Sequence, residues 1–507
     1  MPVRTPLITA DHLARAEHVY PDRIAVVDEP DQPAPSLGTL TYAQLADLAR
    51  AQAAALDDLG LGAGDRVAIV SHNAGRLLTS FFGVTAWGRV LVPINFRLNR
   101  EEIRYIVEHS GARVLLVDPE VDEVTADLDV EHRFVLGHED ERIFARGRTP
   151  RPWQDPDEDA TATINYTSGT TARPKGVQMT HRSLWLNAVT FGWHTGVSDR
   201  DVYLHTLPMF HANGWGMPFT VTAMGVPQVV IRKIDGHEIL RRIDEHGVTL
   251  LCCAPAVVSM VLAAAEELDD VPGRDRVRVV VAGAPPPTQT IARVETELGW
   301  EFIQLYGLTE TAPLVTINRA RPEWDGLDPQ QRAARLVRAG VPAVGIQVRV
   351  DDEGEILVRG NHVLAGYWQQ PEASAESLRD GWFHTGDGGV VDEEGYVSIV
   401  DRKKDVIISG GENVSSIEVE DTLHDHPAVG EVAVIGAPHD RWGETVVALV
   451  VPAEGQQVTE RELIDHCRDR LAHYKCPTSV EFREELDRTA TGKLQKFKLR
   501  APFWDGD

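Results

Sequence analysis

Residues 166–177 read Tyr-Thr-Ser-Gly-Thr-Thr-Ala-Arg-Pro-Lys-Gly-Val, which places five hydroxyl side chains, two glycines and two cations within twelve residues. Hydroxyls and glycine N–H groups can surround phosphate oxygens, while Arg173 and Lys175 neutralise their charge. The stretch lacks the Gly-Lys-Ser/Thr ending of a Walker A loop. It therefore predicts a phosphate-binding loop of another kind, and the alternative is a flexible polar surface loop.

Helical and strand patterns alternate on both sides of this loop. The helical patterns are 42–59, 101–110 and 288–298, and the strand patterns are 65–70, 89–93, 112–117, 249–256, 277–282 and 301–305. Such an order predicts βαβ units, in which largely parallel sheets carry helices on both faces.

The pattern changes near residue 345. Short alternating strands are predicted at 347–350, 355–359 and 396–400, and a charged stretch follows at 401–405. Beyond it, a compact α+β pattern begins with Ser415-x-x-Glu418, a helix-capping match. We place a domain boundary at 401–404, which gives an N-terminal domain of residues 1–402 and a C-terminal domain of residues 403–507.

Composition limits the classes of protein that remain. The 507 residues suggest roughly three folding units of about 150 residues. The net charge of −27 argues against general nucleic-acid binding, since phosphate backbones repel such a field. No apolar run reaches the roughly 18 to 20 residues of a membrane helix, and no secretory signal is expected at the start. Four cysteines without metal-ligand spacing predict reduced thiols and a cytoplasmic location.

Three further segments carry chemistry only weakly when each is taken alone. Gln304-Leu-Tyr-Gly-Leu-Thr-Glu-Thr311 follows a predicted strand and supplies an aromatic ring, a glycine for close approach and a carboxylate suited to Mg²⁺. A strand-end turn with a buried tyrosine and a capping threonine is the alternative. Thr385-Gly-Asp387 is either a ribose-binding turn or an ordinary one. Thr489-Ala-Thr-Gly-Lys493 places a lysine on a loop of an acidic domain, where a solvated lysine is the alternative.

Taken together and in order, these segments resemble the adenylate-forming superfamily of acyl-CoA synthetases, adenylation domains and beetle luciferases. The matching motifs are YTSGTTARPKG, YGLTET, WFHTGD, DRKKDVIISGGENV and TATGKLQK, and the resemblance covers essentially the whole chain. It implies an α/β fold with a large N-terminal AMP-binding domain of parallel-type sheets flanked by helices plus a distorted barrel, and a small mobile α+β C-terminal lid domain.

The resemblance also implies a role for each motif residue in joining a carboxylate to ATP and then to a thiol. Lys493, Thr309 and Glu310 are the expected catalytic residues, with Glu310 as the Mg²⁺ ligand, Lys404 as the hinge, and Gly410 and Gly411 along the thiol channel. The expected nucleotide-binding residues are Thr167, Ser168, Gly169, Thr170, Thr171, Lys175, Gly283, Ala284, Pro285, Tyr306, Gly307, Asp387 and Arg402. The required partners are ATP, Mg²⁺ and either CoA or the phosphopantetheine of an acyl carrier protein.

The segment Leu207–Gly216 resembles the family's acyl-pocket entrance. His211 stands where amino-acid-activating relatives usually have an aspartate, so an α-ammonium group would lie unpaired in a dry pocket. Trp215, with Met217 and Phe219, is expected to line an apolar pocket. The stretch Arg321–Asp325 resembles a feature of medium-chain and aryl-type acyl-activating enzymes. Together with the pocket residues it favours a short-to-medium-chain fatty or related apolar acid, with His211 and Trp215 at the pocket.

Three alternatives to an acid:CoA ligase remain open from the sequence. An acyl carrier protein could accept the acyl group instead of CoA, and a luciferase-like oxygenase would form the same adenylate. A non-catalytic sensor of AMP is disfavoured, since Glu310, Asp387 and Lys493 are all present. A homodimer is neither required nor excluded by the sequence.

Overall fold

A computed structural model describes residues 4–167, 174–283, 286–402, 405–409, 412–439, 442–488 and 494–504. Its helices are α1 (Ala10–Val19), α2 (Tyr42–Asp58), α3 (Gly75–Thr85), α4 (Arg100–Ser110), α5 (Asp122–Thr125), α6 (Asp140–Ile143), α7 (His181–Thr195), α8 (Ala212–Trp215), α9 (Met217–Ala223), α10 (Gly236–His246), α11 (Pro255–Ala265), α12 (Thr288–Arg293), α13 (Pro329–Leu336), α14 (Pro371–Ser377), α15 (Ser416–His424), α16 (Glu460–Arg468) and α17 (Lys496–Trp504).

The strands follow in chain order and form separate sheets. They are β1 (Ile24–Val27), β2 (Thr39–Thr41), β3 (Arg66–Val70), β4 (Val90–Ile94), β5 (Val114–Val117), β6 (His132–Val135), β7 (Thr161–Tyr166), β8 (Gly176–Thr180), β9 (Tyr203–His205), β10 (Gln228–Val230), β11 (Leu250–Cys253), β12 (Arg278–Val281), β13 (Glu301–Gly307), β14 (Leu314–Arg319), β15 (Val341–Pro342), β16 (Ile346–Val350), β17 (Glu355–Gly360), β18 (Gly366–Tyr367), β19 (Phe383–Val391), β20 (Val397–Arg402), β21 (Ile407–Ser409), β22 (Glu412–Val414), β23 (Val429–His439), β24 (Gly443–Pro452) and β25 (Ser479–Phe482).

Two large sheets form the N-terminal part of the protein. One has the strand order β18-β8-β7-β4-β3-β5-β6, and it is parallel from β7 to β6. The other has the order β15-β14-β13-β12-β11-β9-β10-β1-β2, and it is parallel from β13 to β1. The prediction of largely parallel sheets with interleaved helices is confirmed.

Two smaller sheets complete the fold. Strands β16, β17, β19 and β20 form an antiparallel sheet, which corresponds to the predicted barrel-like unit. After it, β21 to β25 form a sheet with the order β22-β21-β24-β23, and β25 pairs with β24. This sheet packs with α15, α16 and α17 and has its own apolar core.

Side-chain caps set the starts of two helices, and the cap at Ser415 is the predicted one. A capping box of Thr41 and Gln44 starts α2, and Ser415 Oγ accepts a hydrogen bond from the Glu418 N–H at the start of α15. The predicted strand 249–256 is shorter than expected, because Pro255 begins α11 at the first helical position. All four cysteines are buried free thiols. Within the described segments, no helix is both long and apolar enough to cross a bilayer.

His12 on α1 is a buried base in an apolar setting. Its ring lies 6.0 Å from those of Trp185 and Phe219, and neither ring nitrogen has a hydrogen-bond partner among the described residues. Burial lowers the pKa of His12 to about 4, so the folded protein holds the neutral ring. An unfolded chain takes up this proton below about pH 6.5.

We expect this histidine to make the fold sensitive to acid. Between pH 6.5 and 4 the unfolded state binds a proton that the folded state does not, so stability falls as the pH falls through that window. His12→Phe removes this contribution, and the loss of unfolding free energy between pH 8 and pH 5 should shrink by about 2 kcal/mol. Urea unfolding of both proteins at the two pH values measures the effect. Equal losses in the two proteins would contradict it.

Candidate active site

The predicted phosphate loop leaves the sheet at the end of β7 and returns at β8. The Thr167 N–H donates to the Lys175 carbonyl over 3.0 Å, which closes the base of the loop. Residues 168–173, including Ser168, Gly169, Thr170 and Thr171, lie outside the described residues.

Helix α4 supports both ends of this loop. The Tyr166 hydroxyl lies 2.8 Å from His109 Nδ1, and the Tyr105 hydroxyl donates to the Pro174 carbonyl over 3.3 Å. Burial lowers the pKa of His109 and raises that of Tyr166, so a neutral imidazole can accept from a neutral phenol. The loop is therefore held at both ends by neutral hydrogen bonds.

The turn after β13 depends on Gly307. A Cβ atom at this position would lie 1.6 Å from the Pro313 carbonyl oxygen, so only glycine allows the chain to fold back into β14. Thr311 is fully buried, and its hydroxyl donates to the same Pro313 carbonyl over 2.7 Å while accepting from the Leu308 N–H. Thr311 is therefore a buried threonine that stabilises the turn itself, as in the alternative of a strand-end turn. Thr309 and Glu310 remain half-buried at the end of the sheet.

Tyr306 and Asp387 meet although they come from different sheets. The Tyr306 hydroxyl donates to Asp387 Oδ2 over 2.8 Å, and Asp387 is 5% exposed. The turn before Asp387 is fixed by Glu355, whose carboxylate accepts from the Gly386 N–H over 2.9 Å. Arg402 lies directly opposite Asp387 in the β19–β20 pair. The expected adenine-side ring and ribose carboxylate therefore form one unit.

Glu310 and Lys175 approach the same tyrosine from different sides. The Tyr367 hydroxyl donates to Glu310 Oε1 over 3.1 Å, and Lys175 Nζ lies 4.7 Å from the centre of the Tyr367 ring. Burial raises the pKa of Tyr367, and the Glu310 carboxylate adds to this effect, so the phenol stays protonated. The sequence analysis did not single out Tyr367.

The predicted acyl-pocket entrance is a left-handed turn. Residues 212–216 all have positive φ, with values of 37°, 49°, 55°, 56° and 76°, and three of them are not glycine. Each non-glycine residue in this conformation costs about 1 to 2 kcal/mol. Trp215 lies in the turn and is 5% exposed, while His211 is half-buried just before it.

Strand β7 anchors this turn through side-chain hydrogen bonds. Asn213 Nδ2 donates to Thr163 Oγ1 over 2.8 Å, and Thr163 Oγ1 donates to Asn165 Oδ1 over 3.1 Å. Asn165 Nδ2 in turn donates to the Phe210 carbonyl over 3.1 Å. Because β7 also ends in the phosphate loop, one strand positions both the loop and the pocket entrance.

Phe219 differs from its expected place at the pocket. Its ring makes edge contacts with Phe81 and Phe82 at centroid distances of 5.7 and 5.5 Å, in the core between α3 and α9. Met217 is likewise fully buried. The same apolar residue types suit a core and a pocket, so the sequence could not separate the two.

Of the remaining predicted nucleotide-binding residues, Gly283 is described by the structure. It follows β12, is exposed and has a φ of 100°, as expected for a glycine turn. The other predicted positions lie outside the described residues or, for Arg402, have no described side chain: Ala284, Pro285, Arg402, Lys404, Gly410, Gly411 and Lys493.

Comparison with known proteins assigns the family. Residues 13–368 match the model of the AMP-binding enzyme family, and residues 418–493 match that of the AMP-binding enzyme C-terminal domain. The chain is an AMP-binding enzyme. The predicted class, an AMP-forming acid–thiol ligase, is confirmed by this membership and by the names of its relatives.

Three of these relatives match over nearly the whole enzyme. The 4-hydroxybutyrate–CoA ligase 2 of Metallosphaera sedula is 39% identical, with 98% of this chain and 94% of the relative covered. The structure of the anthranilate CoA ligase AuaEII in complex with anthranoyl-AMP has a TM-score of 0.88 at 29% identity, with 98% of each chain covered. A Bacillus subtilis o-succinylbenzoate CoA synthetase in complex with ATP and magnesium ion has a TM-score of 0.82 at 29% identity, with 96% and 99% covered. ATP, Mg²⁺ and CoA, as predicted, are the cofactors of this family.

The described residues suit these groups chemically. Mg²⁺ prefers a carboxylate together with phosphate oxygens, and Glu310 presents a carboxylate oriented by a neutral phenol donor. Lys175 supplies a cation at the mouth of the predicted phosphate loop, and Asp387 supplies acceptor oxygens for sugar hydroxyls. Tyr306, which bonds Asp387, and Glu310 both lie at the end of β13, and Tyr367 links Glu310 to Lys175 at the start of β8.

Gly307 offers a test of how closely this turn is packed. Gly307→Ala places a methyl group against the Pro313 carbonyl, so we expect a loss of about 3 kcal/mol in unfolding free energy, together with weaker ATP binding. Urea unfolding and calorimetric ATP titration measure the two effects. Gly62→Ala is the matched control, because a Cβ added there would meet no atom within 4 Å and its φ is not positive. Similar behaviour of the two variants would refute the close-approach argument.

Proposed function

We propose that the enzyme activates a short-to-medium-chain fatty acid or a related apolar carboxylic acid as acyl-AMP and then transfers the acyl group to CoA. The observation that carries this proposal is the pocket entrance. Trp215 is buried in the strained turn, and His211 stands where an amino-acid-activating site would need a carboxylate. The similarity to a ligase named for a four-carbon acid supports a small substrate.

In the first step, a substrate carboxylate oxygen forms a bond to the α-phosphorus of ATP, and the bond to pyrophosphate breaks. Two anions must approach each other, so cations near the phosphates lower the barrier. Lys175 at the loop and Lys493 on the C-terminal domain would supply this charge, and Thr309 would contact the α-phosphate. Mg²⁺ held by Glu310 would neutralise the phosphate oxygens. Asp387, fixed by Tyr306, would bind the ribose hydroxyls.

In the second step, the CoA sulfur forms a thioester bond to the acyl carbon, and AMP leaves. We propose that residues 403–507 act as a lid that turns about Lys404 between the two steps and opens a thiol channel along Gly410 and Gly411. The strand that precedes this hinge, β20, pairs directly with the Asp387 strand. A turn at this point would therefore start next to the ribose site.

The buried free thiols support a cytoplasmic location.

Pyrophosphate release with ATP and Mg²⁺ against a panel of acids tests the proposal. The panel runs from acetate to palmitate and adds 4-hydroxybutyrate, benzoate, anthranilate and several amino acids. We expect turnover with a short-to-medium-chain apolar acid only when CoA is present. Turnover only with a holo carrier protein would show that the acyl acceptor is the phosphopantetheine thiol of that protein and not CoA. Preference for an amino acid would overturn the substrate class.

Lys493 separates the two half-reactions. Lys493→Ala should lower the rate of adenylate formation by at least about 100-fold, because the cation between two anions is lost. Thioester formation from preformed acyl-AMP and CoA should change little, since the thiol attacks an uncharged acyl carbon and no carboxylate has to approach a phosphate. Lys498→Ala, an exposed lysine on the neighbouring helix, is the control. An equal loss in both half-reactions would contradict the role of the moving lid.

A further inference from the structure

Residues 364–368 form a strap that joins the two catalytic turns. At one end, the Leu364 N–H donates to the Glu310 carbonyl over 2.7 Å. At the other end, the Trp368 N–H donates to the Gly176 carbonyl over 2.7 Å, just after the phosphate loop. The Trp368 indole N–H also donates to the His109 carbonyl over 3.1 Å, on the helix that supports the loop. The strap therefore fixes the distance between the Glu310 turn and the loop exit.

Tyr367 occupies the centre of this strap and is 7% exposed. Its backbone is held by pairing with Val177 in β8 and by donation from its N–H to Ser374 Oγ over 2.8 Å. The ring face carries Lys175 Nζ at 4.7 Å, and the hydroxyl donates to Glu310 over 3.1 Å. One side chain thus contacts the lysine of the predicted phosphate loop with its ring face and the expected metal carboxylate with its hydroxyl.

This arrangement resolves a conflict between two opposite charges. A lysine and a glutamate at neighbouring positions tend to form a direct ion pair, which would compete with phosphate for the lysine and with Mg²⁺ for the carboxylate. An aromatic face attracts a cation without neutralising it, and a phenol donates to a carboxylate while leaving its other lone pairs available. Tyr367 can therefore hold both groups in place and keep them apart.

We propose that Tyr367 is a positioning residue that separates Lys175 from Glu310, with its ring orienting the lysine toward phosphate and its hydroxyl orienting the carboxylate toward Mg²⁺. The inference rests on the proposed use of this site for ATP and Mg²⁺. It adds a residue and a division of labour that the motif residues alone do not contain.

Tyr367→Phe separates the two roles, because it keeps the ring and removes the hydroxyl. Calorimetric titration gives the Kd for ATP in excess EDTA and again in saturating Mg²⁺, with no acid or CoA present. The Kd in EDTA divided by the Kd in Mg²⁺ is the factor by which the metal tightens ATP binding, and we call this factor the Mg²⁺ gain. We expect Tyr367→Phe to leave the Kd in EDTA unchanged and to reduce this gain about tenfold, as for a lost hydrogen bond to a charged group.

Tyr367→Leu removes the ring as well and lets Lys175 approach Glu310. We expect it to raise the Kd for ATP severalfold in EDTA, in addition to losing the Mg²⁺ gain. Tyr42→Phe is the matched control, since Tyr42 is fully buried and its hydroxyl donates to the Val226 carbonyl in the core over 2.7 Å. It should leave both Kd values unchanged. The concentration of Mg²⁺ for half-maximal pyrophosphate release provides a second reading of the same effect.

Two results would overturn the inference. Tyr367→Phe could retain the full Mg²⁺ gain, or it could weaken ATP binding equally in EDTA and in Mg²⁺, as a purely structural residue would. Failure of the proposed function has a different signature, because the wild-type enzyme would then release no pyrophosphate with any acid of the panel. The calorimetric test contains no acid, so the two failures are distinguishable.

Discussion

The hydrogen-bond network on β7 is the constraint on which the rest of the site depends. Thr163 and Asn165 are buried on β7. Their polar side-chain atoms form hydrogen bonds with one another and with residues 210 and 213. A buried polar group without a partner costs about 1 to 3 kcal/mol, so this segment has one favourable register against the strand. The same strand continues into Tyr166 and Thr167 at the phosphate loop. The segment at the predicted acyl-pocket entrance and the base of the predicted phosphate loop are therefore both anchored on a single strand.

The left-handed turn at 212–216 shows what this network holds in place. Three non-glycine residues keep positive φ there, at a cost of about 1 to 2 kcal/mol each. Asn213 is a residue type that tolerates this conformation, and its side-chain hydrogen bond to Thr163 opposes relaxation of the turn. Strain of this kind persists where surrounding contacts determine the conformation, and it concentrates at functional sites. The result is a turn whose conformation is set by its contacts with β7 and which contains the buried Trp215.

An acidic protein with a net charge of −27 must still hold an anionic nucleotide. It does so by local arrangement, because charges more than about 8 to 10 Å apart are largely screened at physiological salt. Lys175 is kept from a direct ion pair with Glu310 by the Tyr367 ring, and Asp387 accepts a hydrogen bond from the Tyr306 hydroxyl. Tyrosine side chains thus orient charged groups without cancelling their charge.

The sequence by itself determined the α/β fold, the order of the elements and the motif residues, because these depend on local patterns. Hydrophobic periodicity predicted strands such as β3 and β12, the capping match at Ser415 predicted the start of α15, and the glycine of the YGLTET segment marked a close backbone approach. Only the tertiary structure decided that Tyr367 lies between Lys175 and Glu310, and that Asn213 is anchored on β7. Those contacts join residues 50 or more positions apart, or more than 180 for Lys175 and Tyr367, and no local propensity encodes them. The same limit explains Phe219, since an apolar side chain has the same local signal whether it lines a pocket or packs in a core.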